Sequence, residues 1–296
     1  MEKMVGIMSI PKLQNPTSHE SSLSKKQMSK TKIVSVLLCA TDNVTDSLNA
    51  EIKIKSLSTY SQYLVMSDYN YVRNGEHVLI KRESILPDKY IFFYDMFESR
   101  PYYFEIMYSY KKCVEYIKEL QSINVLYNGF STLKDNTILF LNNINEPLLF
   151  PLLYRFDYSV DLDLTPYPNI PKPIDMSYFS PYMKVLYIFE EKMWKNKNEV
   201  MSNDSWIYVM TIVSDMEKYI IPSDYCGMTY KDIYCHIVDT TRDSWDIYGL
   251  TCLYKSVLDC IIYDNKLHTK FTGILNEIIL CGGKSAEEVL SLLDYY

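Results

Sequence analysis

Five prolines, Pro166, Pro168, Pro171, Pro173 and Pro181, fall within one short stretch of this chain. Each fixes φ, removes a backbone donor and pushes the residue before it away from helix, so 161–181 reads as an extended irregular segment. That segment separates two kinds of pattern. Ahead of it, short β-rich runs mix with helical spacing; beyond Pro181 the chain is mainly helical. The expected class is α+β, with the sheet in the first part and helices in the rest.

The 296 residues suffice for one large domain or two lobes sharing a core. Residues 1–31 hold Pro11, Pro16 and a Ser/Lys-rich run without sustained period, which predicts a flexible tail with room for one short strand. From Lys32 the pattern changes. Ile33–Cys39 reads as a strand, Asn49–Leu57 as a helix, and Tyr63–Met66, Val78–Ile80 and Tyr90–Tyr94 as strands, with turn signals at Asn74-Gly75 and Pro87-Asp88. A long helix is predicted over about Tyr108–Ser122, where Val114, Ile117 and Leu120 share a face. Thr137–Leu141 and Leu148–Phe150 read as a hairpin joined through Asn142–Asn145. After Pro181 the candidate helices are 182–196, 203–219, 229–240, 244–263, 269–281 and 285–294, the last opening on an N-cap Ser285 with Glu288 at N3.

Composition narrows the function classes. The net charge of −7 argues against a nucleic-acid-binding surface. Lys25, Lys26, Lys30 and Lys32 lie in a Ser-rich stretch and read as a solvated tail. The 7 cysteines form no C-x-x-C pair, which predicts reduced thiols in an intracellular compartment. Cys226, Cys235 and His236 lack the second pair that zinc requires. No run approaches the roughly eighteen apolar residues of a membrane span, and the first residues lack the order of a secretory signal. Tyr is abundant at 28 while Gly numbers 8 and alanine occurs only at Ala40, Ala50 and Ala286. AT-rich codons write such a mixture, so part of the bias carries no function; exposed tyrosines would otherwise serve as anchors for a protein partner.

Three segments carry a resemblance. Phe130-Ser131-Thr132-Leu133-Lys134-Asp135-Asn136-Thr137-Ile138-Leu139 is similar to the protein-kinase catalytic loop H-R-D-L-K-x-x-N-I-L, keeping Leu133, Lys134, Ile138 and Leu139. Arg155-Phe156-Asp157-Tyr158-Ser159 resembles the metal-binding D-F-G segment, in the D-F-D-[FY]-S form of kinase-like proteins from poxviruses and other large DNA viruses. Ser244-Trp245-Asp246-Ile247-Tyr248-Gly249-Leu250 resembles the start of the central helix of the larger lobe, whose Asp holds the catalytic loop's backbone in place. The resemblance covers about 32–296. It implies a bilobal protein-kinase-like fold, with a small β-rich N-lobe over 32–95, a larger helical C-lobe over 96–296, and a helical insertion at about 182–243.

The same alignment implies lost chemistry. Phosphoryl transfer needs magnesium on the phosphates, a strand Lys and a positioned base. The base position falls on Thr132, whose hydroxyl is no base near neutral pH. The amide that would hold the second metal falls on Thr137, and the strand Lys on Leu37. The D-F-G Asp falls on Arg155; charges of +1 and +2 about 4 Å apart repel by roughly 8 kcal/mol at an effective dielectric of ~20. Glu51 stands where the strand Lys would find its partner, and Arg155 has the reach to pair with it instead. Lys134 and Asp157 are residual cleft candidates, while Asp246 and Trp245 are expected to keep a scaffolding role. A frame moved by two residues would make Asp157 the metal ligand.

The expected function is therefore that of a pseudokinase, an inactive kinase-like protein that binds or scaffolds a protein partner, with no cofactor and an intracellular setting (host cytoplasm under the viral resemblance). One alternative is an active serine/threonine kinase or other ATP-dependent transferase using ATP and magnesium through Asp157. Another is a structural interaction protein without kinase ancestry.

Overall fold

The computed structural model describes residues 8–9, 35–57, 64–65, 68–74, 77–83, 90–99, 103–130, 137–141, 150–156, 158–170, 176–212, 219–220, 222–260 and 266–294. Helix and antiparallel sheet are both present, as the α+β reading expects. β1 (Met8–Ser9) lies beside β2 (Ser35–Ala40), which runs straight into α1 (Thr41–Lys55). After β3 (Leu64–Val65) come β4 (Asp68–Asn74) and β5 (His77–Glu83), paired antiparallel across the predicted Asn74 turn. The first sheet has the order β1-β2-β5-β4. Its strand β4 was absent from the sequence reading, because Asp-Tyr-Asn-Tyr-Val-Arg-Asn has no apolar run; pairing with β5 makes it a strand.

α1 begins eight residues before the predicted start, on polar Thr41-Asp42-Asn43, residue types that suit helix starts. Ser47, Ala50, Glu51 and Ile54 are its buried residues, at the i, i+3, i+4, i+7 spacing of one helical face. Glu51 is thus drawn inside by its neighbours on the stripe.

β6 (Tyr90–Phe92) passes directly into α2 (Phe93–Ser99), and α3 (Tyr103–Ser122) follows. β7 (Val125–Leu126) closes that helix, and β8 (Ile138–Leu141) pairs antiparallel with β9 (Pro151–Tyr154). The hairpin's second strand sits later than the predicted Leu148–Phe150, with Pro151 at its first position. A second sheet runs β3-β9-β8-β6, and β10 (Val160–Asp161) pairs antiparallel with β7 as a separate ribbon.

α4 (Pro181–Asn196) begins at the last of the five prolines, with Pro181 in the first turn and the Ser180 side chain accepting from the N–H of Met183 at 3.2 Å. α5 (Asn203–Ile212), α6 (Tyr230–Leu258), α7 (Lys266–Leu280) and α8 (Ala286–Asp294) complete the chain. The two predicted helices 229–240 and 244–263 are one continuous helix, α6. The polar run Thr240-Thr241 does not break it, because both hydroxyls bond back to carbonyls one turn earlier, at His236 and Ile237.

α3 and α6 pack face to face in the larger apolar cluster, joined by α7, α8, the buried face of α1 and Phe140, Leu153 and Phe156. Tyrosines hold this contact with polar tips: Tyr110 bonds to Thr251 at 2.9 Å, and Tyr254 donates to Ser109 at 3.0 Å. A second cluster draws on Leu126 and residues between Ile170 and Trp245, including Phe189, Trp206 and Tyr234. Among the described residues no helix is long and apolar enough to cross a membrane.

Candidate functional site

Asp246 lies well inside α6 and is 3% exposed. Its carboxylate accepts two backbone N–H groups from the segment after β7: Tyr127 donates at 2.8 Å and Asn128 at 2.7 Å. A helix starting at Ser244 would have put Asp246 in a first turn; in the structure it is a mid-helix side chain reaching sideways to hold another segment. Burial pushes its carboxyl up to about 6, against the opposing pull of the two N–H groups. Trp245 is buried in the second cluster, where its indole N–H donates to the Thr241 hydroxyl at 3.0 Å.

The segment held by Asp246 is built around the Tyr127 ring. That ring meets Phe130 edge to face at 4.9 Å and Phe156 at 5.1 Å. Its hydroxyl donates to the Tyr154 carbonyl and lies 3.3 Å from the Thr137 carbonyl. The Ser159 hydroxyl donates to the Tyr127 carbonyl at 3.2 Å. One tyrosine therefore joins the segment after β7, the start of β8, the end of β9 and the approach to β10. Asn128 adopts φ +55°, a left-handed conformation that Asn tolerates better than most residues. Gly129 follows, and a Cβ there would come within 2.4 Å of two atoms of the Tyr127 ring, so glycine is favoured by close approach.

Thr137 is fully buried at the head of β8. Arg155 leaves β9 at φ +65°, partly buried between Tyr154 and Phe156, both of which touch Tyr127. Glu51 is 3% exposed on the inward stripe of α1. Glu51 and Arg155 are each engaged in interactions. The backbone of Leu37 pairs with Ile80 across β2 and β5. Thr132, Lys134 and Asp157 lie outside the described residues, as does the tail 1–31 apart from 8–9. Thus Asp246 and Thr137 both bond to Tyr127, whose ring packs on Phe156, the residue after Arg155. Sequence reasoning had not singled out that ring; its only local signal was the turn dipeptide Asn128-Gly129.

Among the described residues no group of three or more His, Cys, Asp or Glu converges into a metal-holding set. Cys113, Cys226, Cys235, Cys252, Cys260 and Cys281 are free thiols. No protein-family model matches the chain, and no curated protein matches it.

Proposed function

We propose that this chain is a kinase-like protein that has lost phosphoryl transfer and acts by binding another protein. The observation that carries the reading is the hold of Asp246 on the backbone of Tyr127 and Asn128. In the family it resembles, the Asp at this motif position holds the catalytic loop, and here the held segment runs from β7 towards β8. The order of elements supports the same reading: a small sheet with α1, the long α3, the β8–β9 hairpin, an irregular segment, then helices. On this reading 32–95 is the smaller lobe, 96–296 the larger, and about 182–243 the insertion.

The base is missing in either frame. Motif alignment puts its position at Thr132. Taking the two residues held by Asp246 as the first of the loop puts it at Gly129, where the Tyr127 ring leaves no room for a carboxylate. In the motif alignment that puts the base at Thr132, Thr137 stands at the amide position, and Leu37 stands at the lysine position. Arg155 brings a cation to the metal position and Glu51 is a buried carboxylate on α1; we pair the two. ATP and magnesium have no part in this reading. The partner is a protein, since the charge of −7 disfavours nucleic acid, and the viral resemblance sets it in the cytoplasm of an infected cell.

Thermal unfolding of the full chain with and without Mg-ATP tests the reading. A nucleotide present at ~100 times its Kd stabilises a fold by about 2.7 kcal/mol, so binding would be plain. The expected result is no shift, together with no transfer of labelled phosphate to protein substrates. Magnesium-dependent stabilisation or label transfer would overturn it in favour of the ATP-dependent transferase that uses Asp157.

A further inference from the structure

Lys53 follows the buried Glu51 by two residues on α1 and points to a different partner. Its ammonium donates to Asp161 at 2.8 Å and to Asp163 at 2.5 Å. Both carboxylates are themselves positioned. Asp161 accepts the backbone N–H of Asp163 at 3.0 Å, and Asp163 accepts the Asn124 side-chain amide at 2.8 Å. The Leu162 N–H donates to the Asn124 carbonyl at 2.9 Å, tying the turn to the chain just before β7. Nearer the start of α1, Asp46 accepts the Thr165 hydroxyl at 2.9 Å. The turn 161–165 thus holds α1 at two places, both polar.

The apolar groups beside this seam face outward. Ile52 is 68% exposed and Leu164 63%, each adjacent in sequence to a member of the cluster. Hydrogen bonds and charge therefore hold α1 to the turn here. The electrostatics agree: hydrogen bonds from Lys53 and then Asn124 hold the Asp163 carboxyl below its ordinary value. Burial pulls Lys53 down, but its bonds to Asp161 and Asp163 outweigh that and leave it raised.

We infer that Lys53, Asp161 and Asp163 form a latch that fixes α1, and with it Glu51, against the β7–β10 ribbon without any ligand. The latch needs only these contacts and stands independently of the kinase-like reading. A charge-based latch at a partly exposed seam weakens with salt, since at 1 M the screening length falls to about 3 Å, comparable with these separations.

Amide hydrogen exchange on the full chain, read segment by segment, tests it. Lys53→Met is expected to speed exchange in 46–56 and 160–165 by about tenfold, leaving α7 and α8 unchanged, while Lys53→Arg keeps most of the protection. High salt should loosen the same two segments in the wild type and add little in Lys53→Met. Asp163→Asn, at an exposed side chain, should give the same pattern more weakly and keeps the test available if Lys53→Met does not fold. Equal exchange in wild type and variants, or a rise spread evenly over α3, α6, α7 and α8, overturns the latch.

Discussion

At the scale of single residues, Asp246 and Gly129 make the sharpest commitments. An asparagine at 246 turns an NH2 donor towards one of the two N–H groups, where even the protonated acid keeps a hydroxyl oxygen able to accept, so at pH 4 Asp246→Asn should cost about 1–3 kcal/mol. The pH dependence follows from the raised carboxyl, at about 6 in the fold against an ordinary 3.8. Stability from this group is present below the ordinary value and is lost as pH rises through 6. The margin of wild type over the variant should then narrow by roughly 2 kcal/mol between pH 4 and 7, enough to close or reverse it, as read from urea unfolding at each pH. A margin that widens instead would mean the two N–H groups outweigh burial. Gly129→Ala should cost about 1–3 kcal/mol through overpacking against Tyr127. In a Tyr127→Ala background the same change should cost little, and additivity of the two would show that the ring is not the obstacle.

At the scale of elements, α6 depends on its first turn. The Thr229 hydroxyl accepts from the Asp232 N–H at 3.2 Å while Asp232 accepts back from the Thr229 N–H at 3.4 Å. Thr229→Ala should lower stability by about 1 kcal/mol, measured as a fall in the denaturant midpoint with an unchanged slope. The reciprocal Ser285–Glu288 cap at α8 was legible in sequence, because all of its chemistry lies within four residues. The α3 face carrying Val114, Ile117 and Leu120 was legible for the same reason. Strand β4 and the unity of α6 were not, since one depends on a partner strand and the other on hydroxyls folding back onto their own helix. The candidate site divides along the same line. Its Asp was visible inside Ser-Trp-Asp, but the backbone it holds lies more than a hundred residues earlier, and no local pattern announces that pairing.

At the scale of the whole molecule, the abundance of tyrosine finds a use. Tyr110, Tyr127, Tyr234 and Tyr254 are buried, with hydroxyls placed on Thr251, the Tyr154 carbonyl, the Pro168 carbonyl and Ser109 respectively. Among the described residues Tyr167 and Tyr208 are the large exposed ones, so tyrosine here serves the interior more than the surface. The proposed Glu51–Arg155 pair would join α1 to the end of β9 and is open to a double-mutant cycle. Glu51→Gln, Arg155→Gln and the double variant should give a coupling of about 1 kcal/mol or more in unfolding free energy, and a value under ~0.5 would remove the pair.

The crowding at Gly129 also bears on which substitutions this chain can accept. A Cβ at 129 would stand 2.4 Å from atoms of the Tyr127 ring, so no larger side chain fits there until the ring moves, and moving it forfeits the hydroxyl's bonds to the Thr137 and Tyr154 carbonyls. Tyrosine at 127 and glycine at 129 therefore lock each other as a steric ratchet, and neither position is free to change alone.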